Sequence, residues 1–211
     1  MGEVVKPIRG LYAITPDLSD TEQLLRQVRQ ALQGGARILQ YRNKSASAAL
    51  KQQQAQALRE LTREFGATFI VNDDAQLAAQ VNADGVHLGG EDGSVAEARA
   101  IVGKTGIIGV SCYNRPALAH EAVRQGADYV AFGAFFPSSV KPGAMKADVE
   151  LLHTVRAELE VPIVAIGGIT AQNGAALVEA GADALAVISA LWNAPDTEMA
   201  AREFSKLFVK A

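Results

Sequence analysis

The sequence has 211 residues, of which 49% are hydrophobic and 20% are charged, and its formal net charge is −3. This net charge offers no overall electrostatic footprint for nucleic acid, although local basic clusters could still bind phosphates. No segment is apolar over the length of a membrane span. The lone Cys112 excludes an internal disulfide, and together with an N-terminus that lacks a signal-peptide pattern it predicts a cytoplasmic protein.

Apolar segments of strand length alternate with amphipathic segments of helix length along the whole chain. The strand-like segments are residues 10–14, 38–41, 68–71, 85–88, 107–111, 129–132, 163–166 and 184–188. The helix-like segments are residues 21–33, 48–65, 75–80, 94–102, 117–125, 150–158 and 171–179. The alternation predicts an α/β protein with a single domain, residues 1–211, folded as a (β/α)8 TIM barrel. A doubly wound sheet is the alternative, because it shows the same alternation.

An internal repeat favours the barrel. The strings Gly35-Ala-Arg, Asn82-Ala-Asp, Gly126-Ala-Asp and Gly181-Ala-Asp each end a helix-like segment and precede every second strand. A glycine at such a position suits the left-handed residue that closes a helix. Recurrence at every second strand is typical of a barrel assembled from repeated βαβα units.

The third strand-like segment ends at Asn72, Asp73 and Asp74. Unpaired carboxylates are costly inside a core, whereas the mouth of a parallel barrel is where ligands bind. Asn72 or Asp74 could cap the helix that follows. One cap cannot employ all three side chains, so we expect at least one of them to be available for chemistry.

The second strand-like segment leads into Gln40-Tyr41-Arg42-Asn43-Lys44. Alternation places Gln40, Arg42 and Lys44 on one side, where two cations can bind an anion that has several oxygens. A solvated basic edge is the alternative for any single cation. Three polar residues at one strand exit favour a binding site.

Asp92 follows the fourth strand-like segment and, in a barrel, would face Asp73 across a gap that suits Mg2+. Asp92 could instead cap the next helix, but Ser94 with Glu97 makes the better capping box. His87 lies within the same strand. We expect it to be a hydrogen-bonded packing residue and not a ligand.

Residues 132–146 form the longest irregular segment and carry Lys141 near the middle. Long loops of this kind are uncommon unless they are functional or disordered. We therefore expect a lid that closes over an anion. Ser111, at the end of the fifth strand, is a candidate donor to a phosphate.

Gly167-Gly168 and Ile188-Ser189 end the seventh and eighth strand-like segments. Paired glycines let backbone N–H groups approach a phosphate, and barrels commonly bind one after strands seven and eight. With Ser138 they predict a monophosphate site. The basic and acidic groups predict a separate pyrophosphate and Mg2+ site.

The sequence resembles the thiamine-phosphate synthase family. The resemblance runs from Leu11-Tyr-Ala-Ile-Thr to Val187-Ile-Ser-Ala, and it is carried in order by the motifs Gln40-Tyr-Arg-Asn-Lys44, Asn72-Asp-Asp, Gly85-Val-His-Leu-Gly, Gly109-Val-Ser111, Phe135-Phe-Pro-Ser with Lys141, and Ile166-Gly-Gly-Ile. It implies a (β/α)8 barrel that transfers the hydroxymethylpyrimidine group from its pyrophosphate to a thiazole phosphate. Thiamine phosphate forms and pyrophosphate leaves in a dissociative, carbocation-like step.

The resemblance also implies roles for individual residues. The pyrimidine pyrophosphate would be bound by Gln40, Tyr41, Arg42, Asn43, Lys44, Asn72, Ser111 and Lys141, of which Arg42, Lys44, Ser111 and Lys141 would be catalytic. The thiazole phosphate would be bound by Ser138, Ser139, Val140, Gly168, Ile188 and Ser189. Asp73 and Asp92 would bind Mg2+, and the partners would be these small molecules. The sequence leaves a homo-oligomer open.

Two positions depart from the family pattern. Val140 offers no hydroxyl where relatives carry Thr or Ser, and Tyr113 stands where many relatives carry His. The alternatives are a metal-free thiazole tautomerase, a non-catalytic barrel that binds thiazole phosphate or thiamine phosphate, and a sugar-phosphate isomerase. The missing His argues against the tautomerase. The intact basic and acidic residues argue against the non-catalytic barrel.

Overall fold

The computed structural model describes residues 7–89, 93–137 and 147–209. Eight parallel strands form a closed barrel in chain order, and β8 pairs with β1. The strands are β1 Gly10–Ile14, β2 Ile38–Tyr41, β3 Thr68–Asn72, β4 Gly85–Leu88, β5 Ile107–Tyr113, β6 Tyr129–Phe132, β7 Ile163–Ile166 and β8 Ala184–Val187. The closed sheet confirms the (β/α)8 barrel, because a doubly wound sheet is open. The single domain of residues 1–211 stays a prediction.

A helix follows each strand in the described part of the chain. The helices are α1 Thr21–Gln33, α2 Ala48–Glu64, α3 Ala75–Gln80, α4 Val95–Val102, α5 Pro116–Arg124, α6 Val149–Glu158, α7 Gly174–Glu179, α8 Ser189–Trp192 and α9 Thr197–Lys206. Ser94 and Glu97 form the predicted capping box at the start of α4.

Helix α7 begins three residues later than the sequence pattern predicts. The Thr170 N–H donates to Asn173 Oδ1 at 2.8 Å, and the Asn173 N–H donates to Thr170 Oγ1 at 3.3 Å. These reciprocal bonds hold a turn in place of the first helical turn, since short polar side chains compete for backbone groups.

The C-terminal helices complete the outer layer, although the sequence pattern did not predict them. Helix α9 packs so closely on the end of α1 that a Cβ at Gly34 would lie 2.3 Å from the Glu198 carbonyl oxygen. Ser205 Oγ donates to the Gly34 carbonyl oxygen at 3.1 Å. Only a glycine permits this approach, which closes the ring of helices between its last and first members.

The apolar residues form two layers. A small cluster fills the inside of the barrel and includes Tyr12, Ile14, Ile38, Ile70, Tyr129, Ala131, Val164 and Ala186. A larger one packs the outer faces of the strands against the helices. The interior of the barrel is therefore filled with side chains. Ligands can bind at the end of the barrel where the strands finish.

The internal repeat corresponds to a recurring ion pair. Asp84 precedes β4, accepts two hydrogen bonds from the Arg59 guanidinium and accepts the Phe69 backbone N–H at 2.8 Å. A similar arrangement, with one guanidinium hydrogen bond to each Asp, recurs with Asp128, Arg99 and Ile108 and with Asp183, Arg156 and Ile163. Each Asp joins an even-numbered helix to an odd-numbered strand. Arg37 occupies the fourth equivalent position, where the sequence has no Asp.

Candidate active site

The exit of β1 positions the exit of β2. Thr15 Oγ1 accepts the Arg42 backbone N–H at 2.8 Å and donates to the Arg42 carbonyl oxygen at 2.9 Å. Asp17 Oδ1 lies 3.3 Å from Arg42 Nη1 and accepts the Lys44 backbone N–H at 3.0 Å. The main chain is thus held on both sides of Arg42, and its guanidinium stays partly exposed.

Tyr41 and Asn43, which we predicted to bind the pyrimidine substrate, are buried against α2. The Tyr41 hydroxyl donates to Gln54 Oε1 at 2.9 Å, and Asn43 Nδ2 donates to the same oxygen at 3.1 Å and to the Leu18 carbonyl oxygen at 2.8 Å. These bonds hold the turn that carries Arg42. A contact of either residue with substrate stays a prediction.

The three polar residues after β3 have separate roles. Asp74 caps α3, because its carboxylate accepts the Leu77 N–H at 2.8 Å. Asp73 adopts a left-handed backbone conformation with φ of 63°, which is uncommon for residues other than glycine and is typical of functional sites. Its carboxylate accepts Asn72 Nδ2 at 2.5 Å and the Gly89 N–H at 3.2 Å. Asp73 therefore reaches across to the exit of β4.

The exits of β2, β3 and β4 share one cavity of about 400 Å3. Its lining brings together Arg42, Lys44, Asn72 and Asp73 and adds Lys51 from the first turn of α2, but it does not include Gln40 or Ser111. The binding roles of these residues stay predictions. The lining also includes the carboxylates of Asp74 and Glu97, which take part in the N-terminal caps of α3 and α4. The three cations and the Asp73 carboxylate are suited to an anion with several oxygens and to a metal ion bound to that anion.

A chain of hydrogen bonds crosses the inside of the barrel. It runs from Gln40 Nε2 to the Tyr12 hydroxyl at 2.8 Å, then to the Tyr129 hydroxyl at 2.8 Å. It continues to His87 Nδ1 at 2.9 Å and from His87 Nε2 to Ser111 Oγ at 2.9 Å. His87 is 7% exposed and is hydrogen-bonded and packed, as expected. Burial raises the pKa of both tyrosines well above the usual range, so both remain neutral.

The exits of β6, β7 and β8 lie side by side. The Phe136 N–H donates to the Gly167 carbonyl oxygen at 3.0 Å, so the segment after β6 runs along the exit of β7. Gly168 has φ of 62°, and a Cβ there would lie 2.4 Å from the Pro137 carbonyl oxygen. Ile188 is the N-cap residue of the short helix α8, which Ser189 begins. The predicted monophosphate residues Gly168, Ile188 and Ser189 thus follow adjacent strands.

Several predicted site residues lie outside the described residues. They are Asp92, Ser138, Ser139, Val140 and Lys141. Among residues 7–89, 93–137 and 147–209, no three or more His, Cys, Asp or Glu side chains form a metal-binding group. Within the same ranges, no helix is long and apolar enough to span a membrane.

Sequence reasoning missed Thr15, Asp17, Lys51 and the Tyr12–Tyr129 pair. Thr15 and Asp17 stand directly after the first strand, in the same position as the polar residues that we singled out elsewhere. The rule that strand exits carry function would have found both. No local pattern indicates the tyrosine pair, whose members are 117 positions apart in the chain.

A sequence model of the family described as thiamine monophosphate synthase matches residues 11–191. Thiamine-phosphate synthase of Methylobacillus flagellatus is 57% identical over 202 residues, which cover 96% of both chains. That of Thiobacillus denitrificans is 52% identical over 199 residues, which cover 94% of both chains. Among solved structures, thiamine phosphate pyrophosphorylase from Pyrococcus furiosus is 37% identical with a TM-score of 0.86, and the match covers 95% of this chain and 96% of that chain. A 3-hexulose-6-phosphate synthase at 19% identity and a TM-score of 0.69, covering 94% of this chain and 100% of that chain, shares the fold alone.

Proposed function

The chain belongs to the thiamine monophosphate synthase family and is a transferase, and we propose that it transfers a hydroxymethylpyrimidine group from its pyrophosphate to a thiazole phosphate. The products are thiamine phosphate and pyrophosphate. The observation that carries the proposal is the cavity where Arg42, Lys44, Asn72 and Asp73 converge, because it offers cations and a carboxylate to a single pyrophosphate.

The pyrophosphate of the pyrimidine substrate is bound by the basic side of this cavity. Arg42 can bind its oxygens in a bidentate manner, and Lys44 and Lys51 add compact charges. Asn72 supplies an amide from the cavity lining. Ser111 does not line this cavity, and its hydroxyl is assigned to the pyrophosphate by the family resemblance. Lys141, which is carried over from the family resemblance, adds a further positive charge.

The residues present fit a magnesium ion. The Asp73 carboxylate supplies hard oxygens and points towards Gly89, which immediately precedes the segment that contains Asp92. One or two carboxylates are what Mg2+ usually takes from a protein when substrate phosphates and water complete its coordination. When bound, Mg2+ would neutralise charge on the departing pyrophosphate.

The chain's own residues support a dissociative reaction. The bond between the pyrimidine methylene and the pyrophosphate oxygen breaks, and the oxygen keeps the electron pair. The thiazole nitrogen then attacks the cationic methylene. Arg42, Lys44 and Lys51 favour the first step, since fixed charges aimed at a developing anion lower the barrier. Cys112 is excluded as a covalent nucleophile, because burial raises its pKa to about 12.

The thiazole phosphate is bound at the exits of β7 and β8. Gly168 brings the backbone close to the phosphate, and Ile188 and Ser189 border it from the next strand. The family resemblance adds Ser138, Ser139 and Val140, with Val140 acting through its backbone because it lacks a hydroxyl. The two anions therefore approach from different sides of the mouth. A cytoplasmic location and a homo-oligomeric state stay predictions.

One assay tests the function. The purified protein is incubated with both substrates and Mg2+, and thiamine phosphate and pyrophosphate are followed together. We expect equal amounts of both products and complete loss of turnover in excess EDTA. Isomerisation of the thiazole without the pyrimidine substrate, unaffected by EDTA, would instead establish the metal-free tautomerase.

A further inference from the structure

The hydrogen-bond chain inside the barrel has a direction, and the direction is fixed at one end by Gln40. Its Nε2 faces the Tyr12 hydroxyl at 2.8 Å, and an amide NH2 group can only donate. The Tyr12 proton therefore goes to its other neighbour, the Tyr129 oxygen at 2.8 Å. Tyr129 accepts that proton and gives its own to His87 Nδ1 at 2.9 Å.

This order decides which nitrogen of His87 carries a proton. Nδ1 accepts from Tyr129, so the neutral ring must be protonated at Nε2. Nε2–H then donates to Ser111 Oγ at 2.9 Å. Because the serine oxygen accepts from the histidine, its own hydroxyl proton is available to a group in the mouth.

We propose that Tyr12, Tyr129 and His87 are positioning residues that keep Ser111 as a hydrogen-bond donor towards the pyrophosphate of the substrate. The proposal rests on the proposed function, which assigns Ser111 to that pyrophosphate. An acceptor serine would turn a lone pair towards an anion and repel it, whereas a donor serine stabilises it.

The tyrosines are suited to this role by their burial. Tyr12 is 1% and Tyr129 is 0% exposed, so water does not compete for their hydroxyls. Tyr129 is also fixed in place, because a Cβ at Gly109 would lie 1.9 Å from its ring and the His87 ring stacks on it at 5.5 Å. A rigid pair of neutral hydroxyls transmits the orientation of Gln40 to His87 without a change in charge.

The first test is the tautomer of His87 in the unmodified, ligand-free enzyme. Nitrogen-15 NMR of the imidazole rings distinguishes protonated from unprotonated ring nitrogens, and the chain has 3 histidines. Single His120→Gln and His153→Gln variants assign the signals. We expect a protonated Nε2 and an unprotonated Nδ1. The opposite tautomer would overturn the proposal, because it means that Gln40 Oε1 faces Tyr12 and the chain runs the other way. This reading does not depend on turnover, so it stands apart from a failure of the proposed function.

The second test is Tyr129→Phe, which removes the donor to Nδ1 and keeps the ring. We expect His87 to lose its single tautomer and kcat to fall about 10-fold or more, the effect of losing one hydrogen bond to a charged group. The KM of the thiazole phosphate should not change. Tyr113→Phe is the matched control, because that side chain is exposed on β5. It should leave both the tautomer and kcat unchanged.

A double-mutant cycle separates this role from a general effect on packing. If Tyr129 acts through Ser111, Tyr129→Phe should add little to the loss already caused by Ser111→Ala. Losses that multiply independently, with the His87 tautomer unchanged in Tyr129→Phe, would overturn the proposal.

Discussion

The Arg42 guanidinium lies 3.3 Å from the Asp17 carboxylate, and the same oxygen of Asp17 accepts the Lys44 backbone N–H. One residue from the exit of β1 thus holds the Arg42 side chain and the Lys44 main chain at the exit of β2. The Arg42 side chain is 18% exposed and that of Asp17 is 39% exposed, so the pair is accessible to solvent. A substrate anion can therefore engage Arg42 without first opening a buried ion pair.

Arg42→Ala should weaken the binding of the pyrimidine pyrophosphate by about 1.5–3 kcal/mol, the usual contribution of a hydrogen bond to a charged group. Asp17→Asn should change it by less than about 1 kcal/mol, because an accessible ion pair contributes little. Titration calorimetry measures both. Neither variant should affect the thiazole phosphate, and an equal loss of both substrates from Arg42→Ala would contradict two separate anion sites.

Asp73→Ala should abolish Mg2+-dependent turnover and leave the fold intact, because the residue lies at the mouth and supports no core. We expect the same of Asp92→Ala. Asp74→Ala is the matched control, since Asp74 caps α3 and should cost about 1 kcal/mol of stability with turnover retained. Turnover and the thermal unfolding temperature are measured for all three variants. Near-normal turnover of both Asp73→Ala and Asp92→Ala would exclude the magnesium assignment.

The strand exits were predictable from the sequence because two local rules suffice. Apolar runs of strand length identify β3, and the polar residues that end it must avoid the core, which places Asn72 and Asp73 at the mouth. The contacts inside the barrel cannot be predicted by these local rules. In the sequence, Tyr12 and Tyr129 look like ordinary apolar strand residues. Their hydroxyls meet because the closed sheet turns β1 and β6 towards the same interior.

The same limit explains the outcome for Tyr41 and Gly168. Alternation along β2 predicts which side of the sheet Tyr41 faces. It does not predict that Gln54 of α2 provides a hydrogen-bond acceptor for the Tyr41 hydroxyl. The Gly-Gly pair after β7 predicts that either a ligand or another part of the chain closely approaches the backbone. Only the structure shows that the Pro137 carbonyl is one such neighbour.

Gly168→Ala should therefore disturb the neighbouring protein backbone as well as the predicted contact with the thiazole phosphate. Its φ of 62° strains any other residue, and the new Cβ would displace the Pro137 carbonyl group. We expect loss of thiazole phosphate affinity, measured by calorimetry, with the pyrimidine pyrophosphate unaffected. Gly126→Ala is the matched control, because its φ is 95° and nothing lies within 4 Å. It should lower the unfolding temperature and leave the affinity for both substrates unchanged.

Arg59→Ala should destabilise the barrel by about 3 kcal/mol, because it leaves the largely buried Asp84 carboxylate without its bidentate partner. The two side chains are only 10% and 16% exposed. Arg202→Ala removes an exposed ion pair with Glu198 and should cost about 0.3–0.5 kcal/mol. Denaturant unfolding measures both, and equal losses would show that the recurring pair contributes no more than a surface bridge.

The buried tyrosines predict a loss of stability at alkaline pH. Burial raises the pKa of Tyr12, Tyr41 and Tyr129 above the ordinary value, so the folded protein keeps protons that the unfolded chain releases above about pH 10. Because the unfolded state then binds fewer protons, the free energy of unfolding falls as pH rises, with a limiting slope of about 1.4 kcal/mol per pH unit for each tyrosine. Below that pH these groups contribute no slope.

Tyr41→Phe tests this linkage away from the interior of the barrel. Its free energy of unfolding should differ from that of the parent protein by a constant amount below about pH 9, because both states then hold the tyrosine proton. Above about pH 10 the curve of the variant should be flatter, since one group no longer favours the unfolded chain. Parallel curves throughout this range would mean that Tyr41 ionises alike in both states, and that its burial against Gln54 does not oppose the charge.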